Sequence, residues 1–521
     1  MSFVRGVLVS LASGYLKVIC RAVCGLITFR LLFTTLGAQE FGFWFVLWAT
    51  FGFMVLVDFG LGGAVGKAVA RAAGRPTAEE RQAANSAVTG VFWLTVVMTL
   101  LIGAALFLGG HHLVDHLLDR NRITDPGHRE HLTRVAGLFA VGMLLSYPFG
   151  IFREALRAQQ RAHVSNACDI VALLAQAGLI AWGSAAGWGI MEFMIVAVAT
   201  SLAPMVVVTL IALRQPMLRP DPRRFAWSDV TGLGSFSAFI YLNGICGQIL
   251  SRVDAVLISN VVSLSAVAGF APGQRLAETY GLLTQQQLQA VLAPASAQLD
   301  AQAADAQARR AVLARVLLTS QRWAVMIGAS LLAPLVLDLG GALRVLSGSA
   351  PIAADAMMVA WLLLASVASS VLGSSCSREV LLMTGHHRLA LSCTLGEAVV
   401  KLTLTVVLLL SLESIVGAAI GSLVPAVALN LVIIPVLLHR LYGVAWQEMA
   451  AQTARGLAGA AGAWLVAIAW WTTRPIADPM WNFLAGCGVV AAAMTPGWWF
   501  LGMIDAERER ARGWLRRLRP R

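Results

Sequence analysis

Long apolar stretches recur along the whole sequence. A helix needs about 20 mostly apolar residues to cross the hydrocarbon core of a bilayer. By that rule the sequence predicts an all-α polytopic membrane protein with about 14 transmembrane helices. The predicted spans lie near residues 7–36, 41–66, 84–109, 135–152, 164–186, 191–212, 230–261, 266–297, 312–337, 355–383, 388–411, 414–438, 455–472 and 480–504.

The connections between these spans alternate in charge. One set is rich in arginine, whereas the alternate connections are short and nearly uncharged, apart from one sizeable outer loop at 110–134. One side of the membrane collects about 25 Lys and Arg residues against about 6 on the other, and this bias sets the orientation of the chain. We therefore expect both termini to be cytoplasmic. The arginine-rich segments are 66–81, 152–163, 214–224 and 507–521.

The composition excludes a soluble protein. The chain is 58% hydrophobic and 13% charged, whereas soluble domains are about 45–50% apolar and about 25% charged. A net charge of +12 would suggest nucleic acid in a soluble chain. Here the excess lies in short loops and a basic tail, so an anionic lipid surface is the simpler partner. All seven cysteines fall in apolar segments, and we interpret them as packing residues.

Two stretches that could suggest an active site lack what the chemistry needs. Residues 61–68 (LGGAVGKA) look like a phosphate-binding loop, but the first glycine is missing and Ala68 replaces the Ser or Thr that would bind magnesium. Five histidines in the predicted outer loop lack the spacing of a metal site. We expect a transporter rather than an enzyme, with no metal centre. The histidines are His111, His112, His116, His128 and His131.

The first predicted span carries two cations in its middle, Lys17 and Arg21. A charge inside a span costs at least about 2.5 kcal/mol, so it usually faces protein or water. Both cations lie on one helical stripe of small and polar residues. A substrate-facing role and an interhelical pair with a carboxylate are both open for them. Arg30 lies off the stripe and near the outer end of the span. The other stripe residues are Ser10, Ser13, Cys24 and Thr28.

The seventh predicted span has a similar polar stripe that includes Arg252. Lipid does not accept such a stripe, so it predicts a water-filled cavity or a polar helix contact. Asp254 is two residues from Arg252, and residues at that spacing do not face each other on a helix. Each of the two charges therefore needs another partner or water. The other stripe residues are Ser237, Tyr241, Gly244, Gln248, Ser251 and Ser259.

Other charges within spans have simpler explanations. Arg275 with Glu278 and Glu397 with Lys401 have the spacing of intrahelical salt bridges. Asp58 is a lone acid beside a glycine-rich stretch. It could titrate during transport, cap a broken helix or bind a cation of the first span.

Two stretches at equivalent places resemble each other: 36–43 (LGAQEFGF) joins the first two spans, and 263–270 (SLSAVAGF) joins the seventh and eighth. An even number of spans separates them, so both halves would face the same way. Parallel repeats of this kind occur in transporters, with the substrate site between the halves.

These motifs carry a resemblance to a known family. The run 30–32, 36–44 (LGAQEFGFW) and 57–62 (VDFGLG) resembles the opening of the Wzx-type polysaccharide and O-antigen flippases of the multidrug/oligosaccharidyl-lipid/polysaccharide (MOP) exporter superfamily. Residues 251–258 (SRVDAVLI) and 266–270 (AVAGF) resemble the start of their second half. The resemblance implies two six-helix bundles plus two extra C-terminal helices. The predicted domains are 1–213, 225–440 and 450–521.

The resemblance also implies a function. Such proteins flip undecaprenyl-diphosphate-linked oligosaccharides across the bacterial cytoplasmic membrane by alternating access, and they work beside polysaccharide polymerase machinery. It assigns Lys17, Arg21 and Arg252 to the diphosphate, with Arg30 and Arg275 as further candidates. Asp58 and Asp254 are candidates for coupling to H⁺ or Na⁺, and no other cofactor is expected. The two extra helices would shape a groove for the prenyl tail, as in the lipid II flippase branch.

Two other functions fit part of the pattern. A lipid II flippase shares the architecture and the cationic cavity, although the opening motif resembles the polysaccharide branch more closely. A drug exporter of the multidrug and toxic compound extrusion (MATE) class handles cations, and it would need acids to dominate its cavity. The predicted stripes of spans one and seven carry the opposite charge.

Overall fold

The computed structural model describes residues 3–54, 62, 65–66, 68–69, 72, 77–159, 161–221, 234–286, 288–289, 296, 305–348, 353–373, 377–505 and 507–509. Within these residues the chain is all-helical. Ten of the described helices are long and apolar enough to cross a membrane. An all-α membrane fold is therefore confirmed, whereas the total of about 14 spans and the orientation stay predictions.

The helices of the first part of the chain follow one another with short connections. They are α1 (Phe3–Met54), α2 (Ala78–Arg120), α3 (Pro126–Ser146), α4 (Gly150–Ala158), α5 (Ala162–Ala185), α6 (Ile190–Leu213), α7 (Gly234–Val261) and α8 (Leu264–Gly281). Short 3₁₀ turns lie at Tyr147–Phe149 and Pro216–Leu218, and a π-helical turn follows α8 at Leu282–Gln286.

The second part of the chain continues in the same way. Its helices are α9 (Ala306–Leu337), α10 (Leu339–Ser347), α11 (Ala354–Gly373), α12 (Ser377–Met383), α13 (His387–Leu412), α14 (Ile415–Val427), α15 (Ile434–Tyr442), α16 (Trp446–Thr473) and α17 (Pro479–Gly497). Two π-helical segments interrupt them, Ala428–Ile433 between α14 and α15, and Trp498–Gly502 after α17.

Helix α1 contains the first predicted span and the start of the second, joined at a kink. Gly37 has φ 72° and ψ 166°, a conformation that only glycine adopts easily. Rings from both sides pack across the kink: Phe41 has its centroid 5.1 Å from those of Phe29 and Phe33, in edge-to-face geometry. The predicted break between the two spans is therefore present, as a kink at Gly37.

The predicted outer segment 110–134 is mostly helical in the structure. Helix α2 continues to Arg120, and α3 begins at Pro126. The Asp125 side chain accepts a hydrogen bond from the backbone N–H of His128, and Pro126 occupies the first turn, so both groups favour a helix start at this point. Polar residues continue both helices into the segment that low hydropathy marked as a loop.

By their internal packing, the residues form two compact units. The first comprises Met1–Ala271 with Leu409–Ile415, and the second comprises Pro272–Leu408 with Val416–Arg521. Helix α7 therefore belongs to the first unit, in which it packs on α1. The predicted domain boundaries near 213, 225, 440 and 450 stay predictions.

In the first unit α1 packs extensively on α5, and α5 packs on α6. A buried apolar core fills the space among α2, α4 and α6, with Phe152 and Leu156 of α4 at its centre. Other faces of the same helices carry large exposed apolar side chains, which is unusual for a protein surrounded by water. The exposed faces include Leu100, Leu101, Phe107 and Leu108 of α2.

In the second unit α16 packs along α9. Small residues allow the close approach: a Cβ added to Gly456 would lie 2.8 Å from the backbone oxygen of Arg322. Indole groups donate hydrogen bonds across the same contact, from Trp464 to the backbone oxygen of Ala329 at 3.0 Å and from Trp471 to the Asp338 carboxylate at 3.0 Å. Helix α16 is thus joined to α9 and the residue that follows it by both packing and polar contacts.

Candidate functional site

A carboxylate and two cations meet inside the first unit. Lys17 Nζ of α1 lies 2.6 Å from Asp169 Oδ2 of α5, and an Arg153 guanidinium nitrogen of α4 donates to Asp169 Oδ1 at 2.7 Å. The Asp169 side chain is 11% exposed, and those of Lys17 and Arg153 are 22% and 23% exposed. The cluster is therefore largely enclosed, and it carries one more positive charge than negative. We call Lys17, Arg153 and Asp169 the α1–α4–α5 cluster.

Polar contacts extend along the same seam between α1 and α5. Asn166, one turn before Asp169, donates from Nδ2 to Ser13 Oγ at 3.0 Å. Near the other end of the two helices, the hydroxyls of Thr35 and Ser184 lie 2.6 Å apart. Because Ser13 and Lys17 are four residues apart, they fall on one helical face. Part of the predicted polar stripe of α1 therefore faces α5.

Arg21 lies on α1 one turn beyond Lys17, and its side chain is exposed. Side chains two positions apart in sequence point about 200° apart around a helix. Arg21 therefore points away from Val23, which lies on an exposed apolar face with Leu16 and Ile27. Arg30 is partly buried and lies toward the kink at Gly37. Lys17 and Arg21 thus differ: one is paired with a carboxylate, and the other is exposed.

The two charged residues of α7 that the sequence singles out, Arg252 and Asp254, differ in burial. Arg252 is partly buried, whereas Asp254 is 3% exposed. The end of α7 is fixed by the α2–α3 turn. Asn121 donates from Nδ2 to the backbone oxygen of Ser259 at 3.2 Å and accepts from the backbone N–H of Leu264 at 2.6 Å.

The two stretches that resemble each other in sequence are in contact. A Cβ added to Gly42 would collide with the backbone carbonyl of Leu264. Phe43 and Phe270, at equivalent places in the two stretches, are both fully buried. The glycine of the first stretch therefore serves a close backbone approach to the second.

Arg275 is placed at the start of the second unit. Its guanidinium lies 3.6 Å from the Glu278 carboxylate, as the three-residue spacing predicts, and Gln274 donates to the same carboxylate at 3.2 Å. Both ion-pair side chains are about a quarter exposed (26% and 28%). Asp58 lies outside the described residues.

The second unit has its own buried carboxylate, on α13. Arg378 of α12 lies 2.8 Å from Glu397 Oε2, and it donates to Asn430 Oδ1 at 3.0 Å in the π-helical segment. The Glu397 side chain is 7% exposed. Lys401 is also buried, one turn beyond Glu397. The four-residue spacing predicts an intrahelical pair between Glu397 and Lys401. In the structure Arg378 is a partner of Glu397.

A further buried cation of this unit is Arg322 on α9. Its guanidinium pairs with Glu507, and it donates to Gln452 Oε1 of α16 at 3.3 Å. The same carboxylate accepts from the indole of Trp323 at 3.3 Å. The Arg322 side chain is 3% exposed, so its role is to hold the residues after α17 against α9.

An apolar cavity of about 390 Å³ lies in the second unit. Helices α9, α11, α15 and α16 contribute its walls through Leu317, Leu372, Leu438 and Leu457. A cavity with this lining suits a hydrocarbon chain better than a sugar.

Sequence reasoning missed Arg153, Asp169 and Glu507 as partners of intramembrane cations. Asp169 could have been found, because it is a single carboxylate within an otherwise apolar predicted span and such residues are functional candidates by default. Arg153 lies in a predicted cytoplasmic connection, where arginines are common and do not indicate a binding site.

Comparison with known proteins identifies the family. The sequence matches the family described as "Polysaccharide biosynthesis protein" over residues 3–300, more than half of the chain. The chain belongs to this family. No curated protein matches the sequence.

Solved structures share the fold. A lipid II flippase, MurJ, in an inward closed conformation is similar with a TM-score of 0.65 and 11% identity over 94% of this chain and 98% of that chain. An inward-facing MATE multidrug resistance transporter of the MOP superfamily is similar with a TM-score of 0.59 and 14% identity, over 84% and 99%. The Vibrio cholerae MATE transporter VcmN is similar with a TM-score of 0.57 and 14% identity, over 84% of this chain and 96% of that chain. This family member is therefore a multi-pass membrane protein with a MOP-type fold.

Proposed function

We propose that the protein flips undecaprenyl-diphosphate-linked oligosaccharide repeat units from the inner to the outer leaflet of the bacterial cytoplasmic membrane, for surface polysaccharide or exopolysaccharide synthesis. It moves them by alternating access through a cationic cavity and forms no covalent bond with them. Family membership supports a role in polysaccharide biosynthesis, and the MOP-type fold is one that transports substrates across membranes.

The observation that carries the proposal is the surplus of cations on α1. Lys17 and Arg21 are one turn apart on α1, and Arg153 reaches the same region from α4. Within the described residues, Asp169 is the one carboxylate that pairs with Lys17 and Arg153, and Arg21 has no ion pair. Lysine and arginine hold phosphate oxygens by charge-assisted hydrogen bonds. A diphosphate-linked substrate matches this charge, whereas a cationic drug does not.

Arg252, Arg30 and Arg275 are further proposed contacts for the headgroup or for acidic sugars. For energy coupling, H⁺ or Na⁺ would act at Asp254, which is buried in α7, or at Asp58. The apolar cavity beside α16 accepts part of the prenyl tail while the sugar crosses in the cationic cavity. Polysaccharide polymerase machinery would receive the flipped unit.

The test is mass spectrometry of polyprenyl-diphosphate-linked glycans from a strain that lacks the protein. We expect single repeat units to accumulate while surface polymer is lost, and wild-type protein should reverse both changes. Accumulation of lipid II instead would assign the protein to peptidoglycan synthesis. Unchanged lipid-linked glycans together with greater sensitivity to cationic drugs would replace the proposal with a MATE-like exporter.

A further inference from the structure

Asp169 occupies the position at which an anionic ligand would meet Lys17 and Arg153. Its two carboxylate oxygens contact different cations, Oδ2 the ammonium and Oδ1 the guanidinium, at 2.6 and 2.7 Å. A phosphate group offers oxygens of the same charge and a similar spacing. The Asp169 carboxylate therefore pairs with both cations as an anionic ligand would.

The cluster also has hydrogen-bond capacity that Asp169 does not use. Within the described part of the chain, Arg153 Nε is buried and has no hydrogen-bond partner, and neither has Ser165 Oγ, one turn before Asp169 on the same face of α5. Buried polar groups are nearly always hydrogen-bonded, so such donors call for an explanation. With one carboxylate for two cations, the cluster keeps a positive charge that a second anion would neutralise.

The seam between α1 and α5 does not depend on the ion pair alone. The Asn166–Ser13 and Thr35–Ser184 hydrogen bonds hold the two helices on either side of Lys17. Lys17 and Arg153 are each about one-fifth exposed (22% and 23%), which leaves them partly accessible to a ligand. Lys17 can thus change partners while the helices stay packed.

We propose that Lys17 and Arg153 form a phosphate-binding site that Asp169 occupies in the empty protein, and that a diphosphate displaces Asp169 from Lys17. In the bound state the phosphate oxygens accept hydrogen bonds from Lys17 Nζ and Arg153 Nε, while Asp169 keeps its contact with the terminal nitrogen of Arg153. Return of the carboxylate to Lys17 then helps to release the product. This site deepens the proposed function and rests on it, because the diphosphate is that of the lipid-linked substrate.

The test is binding of inorganic pyrophosphate to the purified full-length protein in detergent, measured by calorimetry. Asp169→Asn keeps the shape of the side chain and removes the competing charge, so we expect binding about tenfold tighter, equivalent to 1.4 kcal/mol. Arg153→Gln and Lys17→Gln should each weaken binding at least tenfold. Asp115→Asn is the matched control: it also removes a carboxylate from an arginine, Arg129, in the first unit, and it should leave binding unchanged.

A purely structural ion pair gives a different result. In that case Asp169→Asn would lower the unfolding temperature and leave pyrophosphate affinity unchanged or weaker, which would overturn the proposal. If Asp169→Asn does not fold, Arg153→Gln decides, because unchanged affinity in that variant contradicts the site. The proposed function fails separately: tight pyrophosphate binding in a protein whose deletion leaves lipid-linked glycans unchanged would keep the anion site and remove the flippase.

Discussion

Lys17 Nζ lies 2.6 Å from Asp169 Oδ2, so a cation of α1 is neutralised by a carboxylate of α5. Asp169 is shared with Arg153, and loss of Lys17 would not leave the carboxylate without a cation. Removal of Lys17 should therefore cost less stability than removal of one partner from an isolated buried ion pair, which costs about 3–5 kcal/mol.

A double-mutant cycle measures the interaction free energy between Lys17 and Asp169. We expect Lys17→Met and Asp169→Asn to show a coupling energy of about 0.5–3 kcal/mol, the range for residues in direct contact. The measurement is reversible unfolding of the single and double variants in detergent. Lys17→Met with Ser201→Ala is the matched cycle, because the Ser201 hydroxyl donates to the backbone oxygen of Ala197 within its own helix, α6. Coupling no larger than in this control would show that the pair contributes nothing to stability.

Arg21→Glu separates function from stability on the same helix. Arg21 is exposed and has no ion pair within the described residues, so its reversal should change the free energy of unfolding by less than about 0.5 kcal/mol. We nevertheless expect surface polymer to be lost and lipid-linked repeat units to accumulate, because the reversed charge repels a diphosphate. Arg310→Glu, at an exposed position near the start of α9, should leave polymer levels normal. Normal polymer in Arg21→Glu would remove Arg21 from the substrate path.

Glu507→Gln leaves the guanidinium of Arg322 buried without a carboxylate. We expect this variant to lose about 3–5 kcal/mol of stability, since an uncompensated buried charge is costly. Thermal unfolding in detergent, followed by tryptophan fluorescence, measures the loss. Asp505→Asn is the control: Asp505 is 91% exposed in its pair with Arg508, so its change should stay within about 0.5 kcal/mol. Equal unfolding temperatures for the two variants would contradict the role assigned to Glu507.

Gly42→Ala tests the contact between the two similar stretches. Alanine normally stabilises a helix by about 0.5–1 kcal/mol relative to glycine. At Gly42 the new methyl group meets the backbone carbonyl of Leu264, and we expect a net loss of about 1–3 kcal/mol, as for other overpacked sites. Gly137→Ala in α3, where a Cβ has open space, should be neutral or stabilising. A neutral Gly42→Ala would mean that the two stretches separate readily.

Much of the fold follows from local sequence, whereas the site depends on distant residues. Apolar runs of bilayer length predict the spanning helices, and Gly37 marks the kink because its backbone conformation excludes other side chains. The four-residue spacing of Ser13 and Lys17 predicts one polar face. Nothing local reveals that this face meets Asn166 and Asp169, because that choice is made by helix packing across the unit.

Other features were hidden for similar reasons. Hydropathy predicts an outer loop at 110–134, but α2 continues to Arg120, and the Asp125 cap with Pro126 starts α3 within the same segment. Spacing predicts Lys401 as a partner of Glu397, but it gives no sign of Arg378, which reaches Glu397 from the preceding helix. A single sequence shows which charges need partners and leaves the choice of partner to tertiary structure.

The Arg322–Glu507 pair also has a consequence in time. The two residues are 185 positions apart, and ribosomes add about 5–20 residues per second. Arg322 is therefore made roughly 10–40 s before its carboxylate at that rate of synthesis. During this interval the nascent α9 must enter the bilayer with a guanidinium still unmatched, and water, lipid phosphates or the insertion machinery have to solvate it until Glu507 arrives.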